Sequence, residues 1–261
     1  MRARRWAGEA ARTAALRVVA ERGGLAVTLV FYVLVMAVLA SLWRAAVDAN
    51  GGSVAGYSLV AITWYVAATE ATTVSIRQRL ISEVGRDIGS GAIAVELLRP
   101  APVLGVRLSA ELGHVLPRLA ACFTVGAFVS VVSAGPPPGV PALLLAVPSL
   151  VLAVACNIVA QHAFAAIAFW LRDAGSAWFL YQKLVFIVGG MLIPLEALPK
   201  WLERAASVLP FKAMSYTPAR LASGHFEPGL VVQQVLWLVV LGLGAGAVFR
   251  AGERRLQVVG G

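Results

Sequence analysis

The sequence predicts an all-α membrane protein with six transmembrane helices, and three observations lead there. Of the 261 residues, 59% are hydrophobic and only 13% charged, with a mean hydropathy of +0.81, well outside the usage of a soluble domain. The apolar residues are gathered into six runs, at 24–43, 56–76, 106–134, 140–171, 177–194 and 230–249. Each approaches or exceeds the roughly 20 residues that a helix needs to cross about 30 Å of hydrocarbon. The cationic residues are distributed unevenly about these runs. With the N-terminus inside, Arg44, Lys200, Arg204, Lys212 and Arg220 face outward, Arg118 and Lys183 fall within spans, and the other fifteen of the 22 Lys and Arg lie on the cytoplasmic side. That bias places both termini in the cytoplasm. A β-barrel would instead show strands of about ten alternating residues.

Taken in order, residues 1–23 precede the first span with Trp6, Ala10, Leu16 and Val19 set among arginines. This pattern suits an amphipathic helix lying on the inner membrane surface; the plainer reading is a basic flank that orients the first span. No small-residue cleavage site follows, so no cleavable signal peptide is expected. The third and fourth runs exceed the bilayer, which predicts tilt or kinking near Pro117 and Pro148. "SAGPPPGVP" between them reads as a tight external turn.

Between the second and third spans, residues 77–105 hold an unusual polar segment, "RQRLISEVGRDIGSGAIAVELLRPAP". Its spacing predicts a short helix ending near Gly85, a break through Gly89, Ser90 and Gly91, and a second helix over Ala92 to Leu98. Pro100 stops that helix and biases Arg99 away from helical geometry. Outside, residues 195–228 place Leu195, Leu198, Trp201, Leu202, Ala205 and Val208 at helical spacing, divided by Pro199, Pro210, Pro218 and Pro228. Short amphipathic or re-entrant helices that dip into the outer leaflet are expected there, against the alternative of a soluble cap.

Several chemistries are excluded. There is no phosphate-cradling G-x-x-x-x-G-K-[ST] segment, and "GLGAG" at residues 242–246 lies inside the last span, where small residues permit close helix packing. His114, His162 and His225 have no ligand spacing, so no metal is expected, and no catalytic residues are assigned. Cys122 and Cys156 are expected to be free, buried thiols. The net charge of +9 is accounted for by membrane orientation, so no nucleic-acid partner is inferred.

A sparse polar set lies within the spans. Glu111, His114 and Arg118 share one helical face, either as an interfacial charge cluster or as partners for other spans. Glu70 and Lys183 either pair with each other or face a substrate path, because an unpaired charge in lipid costs about 3 kcal/mol or more. Asn157 and Gln161, one turn apart, suit interhelical hydrogen bonds.

Two motifs carry a resemblance. "IGSGAIAVELLRP", Ile88 to Pro100, is similar to an I-x-x-G-x-x-x-x-x-L-L-R-P stretch, and "LPKWLERAASVLPF", Leu198 to Phe211, to a P-x-W-L…P-F segment, of the membrane subunit of bacterial type-two ATP-binding-cassette (ABC) exporters. The resemblance covers nearly the whole chain as a single permease domain. It implies that the segment at 77–105 carries a coupling helix docking a separate ATPase subunit. Glu83, Arg86, Asp87, Ile88, Gly89 and Ser90 would meet that subunit, while Glu96 and Arg99 brace the elbow. It further implies ATP and Mg on the partner, a second permease chain, identical or paralogous, and export of a hydrophobic or drug-like small molecule or lipid across the bacterial cytoplasmic membrane. Trp64, Tyr65, Glu70, Phe179, Tyr181 and Lys183 would line the pathway, and Pro199, Trp201, Leu202, Pro210 and Phe211 would form the external gate.

Two other transporter readings remain. An ABC importer permease would carry an E-A-A…G motif, whereas "EVGRDIGSG" lacks the alanine pair. An ion-coupled exporter would use Glu70 or Glu111 as proton carrier and need no ATPase. A lipid-handling membrane enzyme lacks an acid, base or metal constellation.

Overall fold

Long apolar runs without water must satisfy their own backbone, and helices do so. The computed structural model describes residues 2–97, 102–170 and 175–259, and no strand occurs among them. In chain order the helices are α1 (Arg2–Ala20), α2 (Arg22–Ala49), α3 (Leu59–Ser75), α4 (Leu80–Gly89), α5 (Ala92–Leu97), α6 (Val103–Ser133), α7 (Val140–Ala165), α8 (Gly175–Ile187), α9 (Lys200–Ser207), α10 (Tyr216–Ala222) and α11 (Pro228–Val259). Five stretches are long and apolar enough to cross a membrane: α2, α3 continued by α4, α6, α7 with the 3-10 turn Ala166–Phe169, and α11. Helices α6 and α7 run uninterrupted through Pro117 and Pro148.

Helix α3 is the axis of the bundle. Thirteen of its seventeen residues are buried, whereas the most apolar windows of α2 and α11 are each only 11% buried and form the periphery. Alanine and threonine dominate α3, so neighbours approach its backbone closely. The Tyr32 hydroxyl of α2 donates to the Ala67 carbonyl at 2.9 Å. It passes over Gly126 of α6, where a Cβ would lie 2.0 Å from that hydroxyl. Between α7 and α11, Gln234 is fully buried, accepting from Ser149 at 2.7 Å and donating to the Ala213 carbonyl at 2.8 Å. Both thiols are free and buried.

Helix α1 breaks from α2 at Glu21 (ψ 60°) and packs along α6. Its inner face is small, with Ala7, Ala11, Ala14 and Val18 at helical spacing, and it crosses at Gly113, where a Cβ would meet the Ala11 carbonyl oxygen at 2.0 Å. Trp6, Leu16 and Val19 point outward.

Two expectations need correction. The first elbow helix does not end near Gly85: Ile81, Val84, Gly85 and Ile88 form one buried face of α4, which packs on the end of α7 and its 3-10 turn. This packing carries the helix past a glycine that disfavours it by about 1 kcal/mol. The fifth predicted span is not a full-length helix either. α8 has thirteen residues, about 20 Å of rise, and the chain then turns at Gly190 (φ 67°). Irregular chain is tolerated at depth only where protein buries it; Gly189, Gly190, Met191 and Leu195 are buried, and the Tyr65 hydroxyl donates to the Gly190 carbonyl. Beyond, α9 is largely exposed, the turn Pro210–Met214 returns inward against Tyr181, and α10 is buried against α3 and α7.

Candidate functional site

The elbow is assembled from both of its flanks. Arg107 in the first turns of α6 reaches back to donate to Asp87 at 2.7 Å and to both Glu96 oxygens at 2.8 Å. It thereby ties α4, α5 and α6 together. On the other flank Arg77 donates to Glu83 and, at 2.7 Å, to Glu111 of α6. Glu83, Asp87 and Glu96 are therefore engaged internally, and Ile88 is 3% exposed, turned into the core because it shares a face with Ile81 and Val84. Of the expected docking residues, Arg86, Gly89 and Ser90 present themselves outward. Gly91 (φ 78°) makes the turn that only glycine adopts readily, after which Val95 stands 64% exposed. Arg99 lies outside the described residues. The result, among the described residues, is a braced tip that presents Arg86, small residues and an apolar spot at Val95. Arg77, Arg107 and Val95 were not singled out by sequence; the only signal was a pair of arginines bracketing an acidic segment.

The second feature is a groove of about 540 Å³ between α2, α3 and α8. Phe31, Trp178 and Phe186 give it an aromatic character, and Glu70, Gln78 and Gln182 supply polar groups. It continues beside Thr73 into a narrower cleft of about 40 Å³ next to Asn157, Gln161 and Tyr181. Tyr181 donates to the Asn157 side chain at 2.7 Å, and Gln161 donates to the same oxygen at 2.8 Å, so these groups fix the wall between α7 and α8.

Of the residues expected on the pathway, Glu70 and Tyr181 line this groove and its extension. Trp64 and Tyr65 do not; they are buried braces, Trp64 donating to the Gly135 carbonyl at 3.2 Å and Tyr65 to that of Gly190. Phe179 and Lys183 sit together on the outer face of α8, the ammonium 5.2 Å from the ring centroid, and Lys183 makes no ion pair with Glu70. Helical phase explains this: Lys183 follows Gln182 by one residue and is turned about 100° away from the groove.

At the opposite end of α3 a third cluster closes the bundle. Glu196 accepts from Tyr216 and, at 3.3 Å, from Tyr57, and pairs with Arg220 at 3.1 Å. Arg220 also donates to the Tyr57 oxygen at 2.7 Å and to Glu227 at 3.1 Å. Burial, then Glu196, raise the Tyr57 phenol above its usual value and keep it a neutral donor. Of the expected gate residues, Pro199 and Trp201 are exposed, Leu202 and Pro210 half-buried, and Phe211 is buried against Tyr181 at 6.2 Å between centroids. The cluster that holds this segment was missed because its members are scattered from residue 57 to 227.

A family model described as "ABC-2 family transporter protein" matches residues 33–260. No curated protein matches the chain.

Proposed function

Because the chain belongs to the ABC-2 transporter family, we propose that it is the membrane subunit of an exporter driven by ATP hydrolysis on separate ATPase chains. Family membership makes it a multi-pass permease with ATPase partners in general. The finer reading is that a pair of permease chains, identical or paralogous, carries a hydrophobic or drug-like small molecule or lipid across a bacterial cytoplasmic membrane, with both termini inside and ATP and Mg held by the partner.

The observation that carries this reading is the braced elbow. A coupling element must transmit displacement without deforming, and Arg107, bonded to both Asp87 and Glu96, makes α4, α5 and the start of α6 one unit. Arg86, Ser90 and Val95 remain facing outward for a partner. Movement of the elbow shifts α4 and with it α3 and the end of α7, which wall the groove and its extension. An ATPase drives transport only by favouring one of two arrangements over the other. Helix α1, with Trp6, Leu16 and Val19 outward, would lie in the inner leaflet surface and move with α6.

The test is affinity purification of the tagged chain from cells expressing its ATPase. Wild type is compared with an Arg86→Glu, Val95→Asp double variant, both positions being exposed. The expected outcome is an ATPase recovered with wild type and lost from a variant whose melting temperature is unchanged. Equal recovery with both moves the contact away from the elbow tip. No ATPase with wild type, together with intact proton-driven efflux, would overturn the ABC mechanism in favour of an ion-coupled exporter.

A further inference from the structure

Every polar side chain of α3 except one has a partner. Thr63, Thr69, Thr72, Thr73 and Ser75 donate back to carbonyls three or four residues earlier, and Trp64 and Tyr65 reach carbonyls of other segments. Glu70 is the exception. It is 4% exposed, and among the described residues no side chain forms a hydrogen bond or ion pair with it. Helical phase sends it into the groove, alongside Thr73 and Val74. Among the described residues the groove wall offers it no Lys, Arg or His, and the lysine of α8, Lys183, is turned outward over Phe179.

An ionised carboxylate in such surroundings is strongly disfavoured unless a cation meets it. What the groove supplies around it is chemically specific. Phe31, Trp178 and Phe186 offer apolar area and ring faces that attract organic cations. Gln78 and Gln182 offer neutral dipoles rather than competing charge. The volume of about 540 Å³ is that of a drug-sized ligand, not a metal ion. We propose that the groove between α2, α3 and α8 recognises a lipophilic monocation, with Glu70 as its counter-charge and the aromatic walls as its apolar seat. This rests on the reading of the groove as part of the pathway and narrows the substrate class to positively charged amphiphiles.

The experiment measures equilibrium binding of tetraphenylphosphonium, and of neutral triphenylphosphine oxide, to the purified chain in nanodiscs of zwitterionic lipid, without any ATPase. Wild type should bind the cation saturably, and Glu70→Gln should weaken it by at least tenfold, about 1.4 kcal/mol, while the neutral probe changes less than threefold. A second variant, Thr28→Lys, leaves Glu70 in place but puts a cation on the facing α2 wall; it should abolish cation binding and spare the neutral probe. Equal cation affinity in wild type and both variants would overturn the inference. So would equal loss of both probes, which would mean shape and not charge, or absence of saturable binding to wild type, which would leave the groove to lipid or a second copy of the chain. None of these outcomes bears on recovery of the ATPase at the elbow, so the two proposals fail separately.

Discussion

Glu196 and Glu70 are both carboxylates held against the central helix, at opposite extremes of satisfaction. Glu196 is met by two phenols and a guanidinium, which come from the turn before α3 and from α10. Glu70, three turns further along, has α3's own hydroxyls occupied elsewhere and an aromatic groove before it. A carboxylate whose lone pairs are filled by protein acts as a lock, because removing a partner leaves charge uncompensated. One left facing a groove has its lone pairs open to whatever occupies that space. The same residue type thus closes one end of the bundle and faces a groove toward the other.

The sharpest way to break this contrast is at Arg220. Arg220→Ala strips the cation from Glu196, Glu227 and Tyr57 together. Since the side chains of Arg220 and Glu196 are 18% and 25% exposed, the expected loss is intermediate between buried and surface pairs, about 2 kcal/mol. It should appear as earlier thermal unfolding in detergent and faster proteolysis after Arg204. Unchanged melting would mean that the cluster does not hold the segment between α8 and α11.

A matched pair of neutralisations follows in size. Glu196→Gln should lower the melting temperature, by the equivalent of about 1 kcal/mol, because it removes the acceptor of charge-assisted bonds. Glu70→Gln should raise it by a similar amount, because it removes a buried ionisable group that has no partner among the described residues. Opposite signs from one substitution type, read in the same melting assay, carry the comparison; equal signs would erase it.

The smallest effect concerns His225, 5.4 Å from the Tyr57 ring and bonded to Ser223. Burial first, then Arg220, with Glu227 and Glu196 opposing, hold its imidazole below the usual range. The unfolded chain therefore takes up a proton at higher pH than the folded one. Its contribution is fully present above the unfolded value near 6.5 and is lost as pH falls toward the lower folded value. Lowering pH from 7 to 5 should cost a few tenths of a kcal/mol after solvent screening, and His225→Asn should flatten that slope in pH-dependent melting curves.

How far the sequence reaches is clearest at particular residues. Run length and composition were enough for an all-helical membrane chain, since the hydrocarbon thickness sets a length that no tertiary contact alters. Of the break expected through Gly89, Ser90 and Gly91, the turn at Ser90 and Gly91 was readable, because glycine's backbone freedom is local, while Gly89 still belongs to α4. The passage of α4 through Gly85 was not, because packing of Ile81, Val84 and Ile88 overrides a local preference. Nor was the shortness of α8, whose apolar composition continues to Pro194 although the helix ends at Ile187 and the chain turns at Gly190. For the site, charge pattern located the elbow but not its orientation: Ile88 faces inward, and Arg107, counted only as a cytoplasmic charge, is the brace.

The sequence by itself determined that this protein spans a membrane as helices and that a polar elbow interrupts them, because hydropathy and glycine or proline punctuation act over neighbouring residues. Only the tertiary structure decided which of its carboxylates are partnered. Ion pairs such as Arg107 with Asp87, or Arg220 with Glu196, join residues twenty or more positions apart, and Glu70 is left without a partner among the described residues because its neighbours on α3 bond elsewhere.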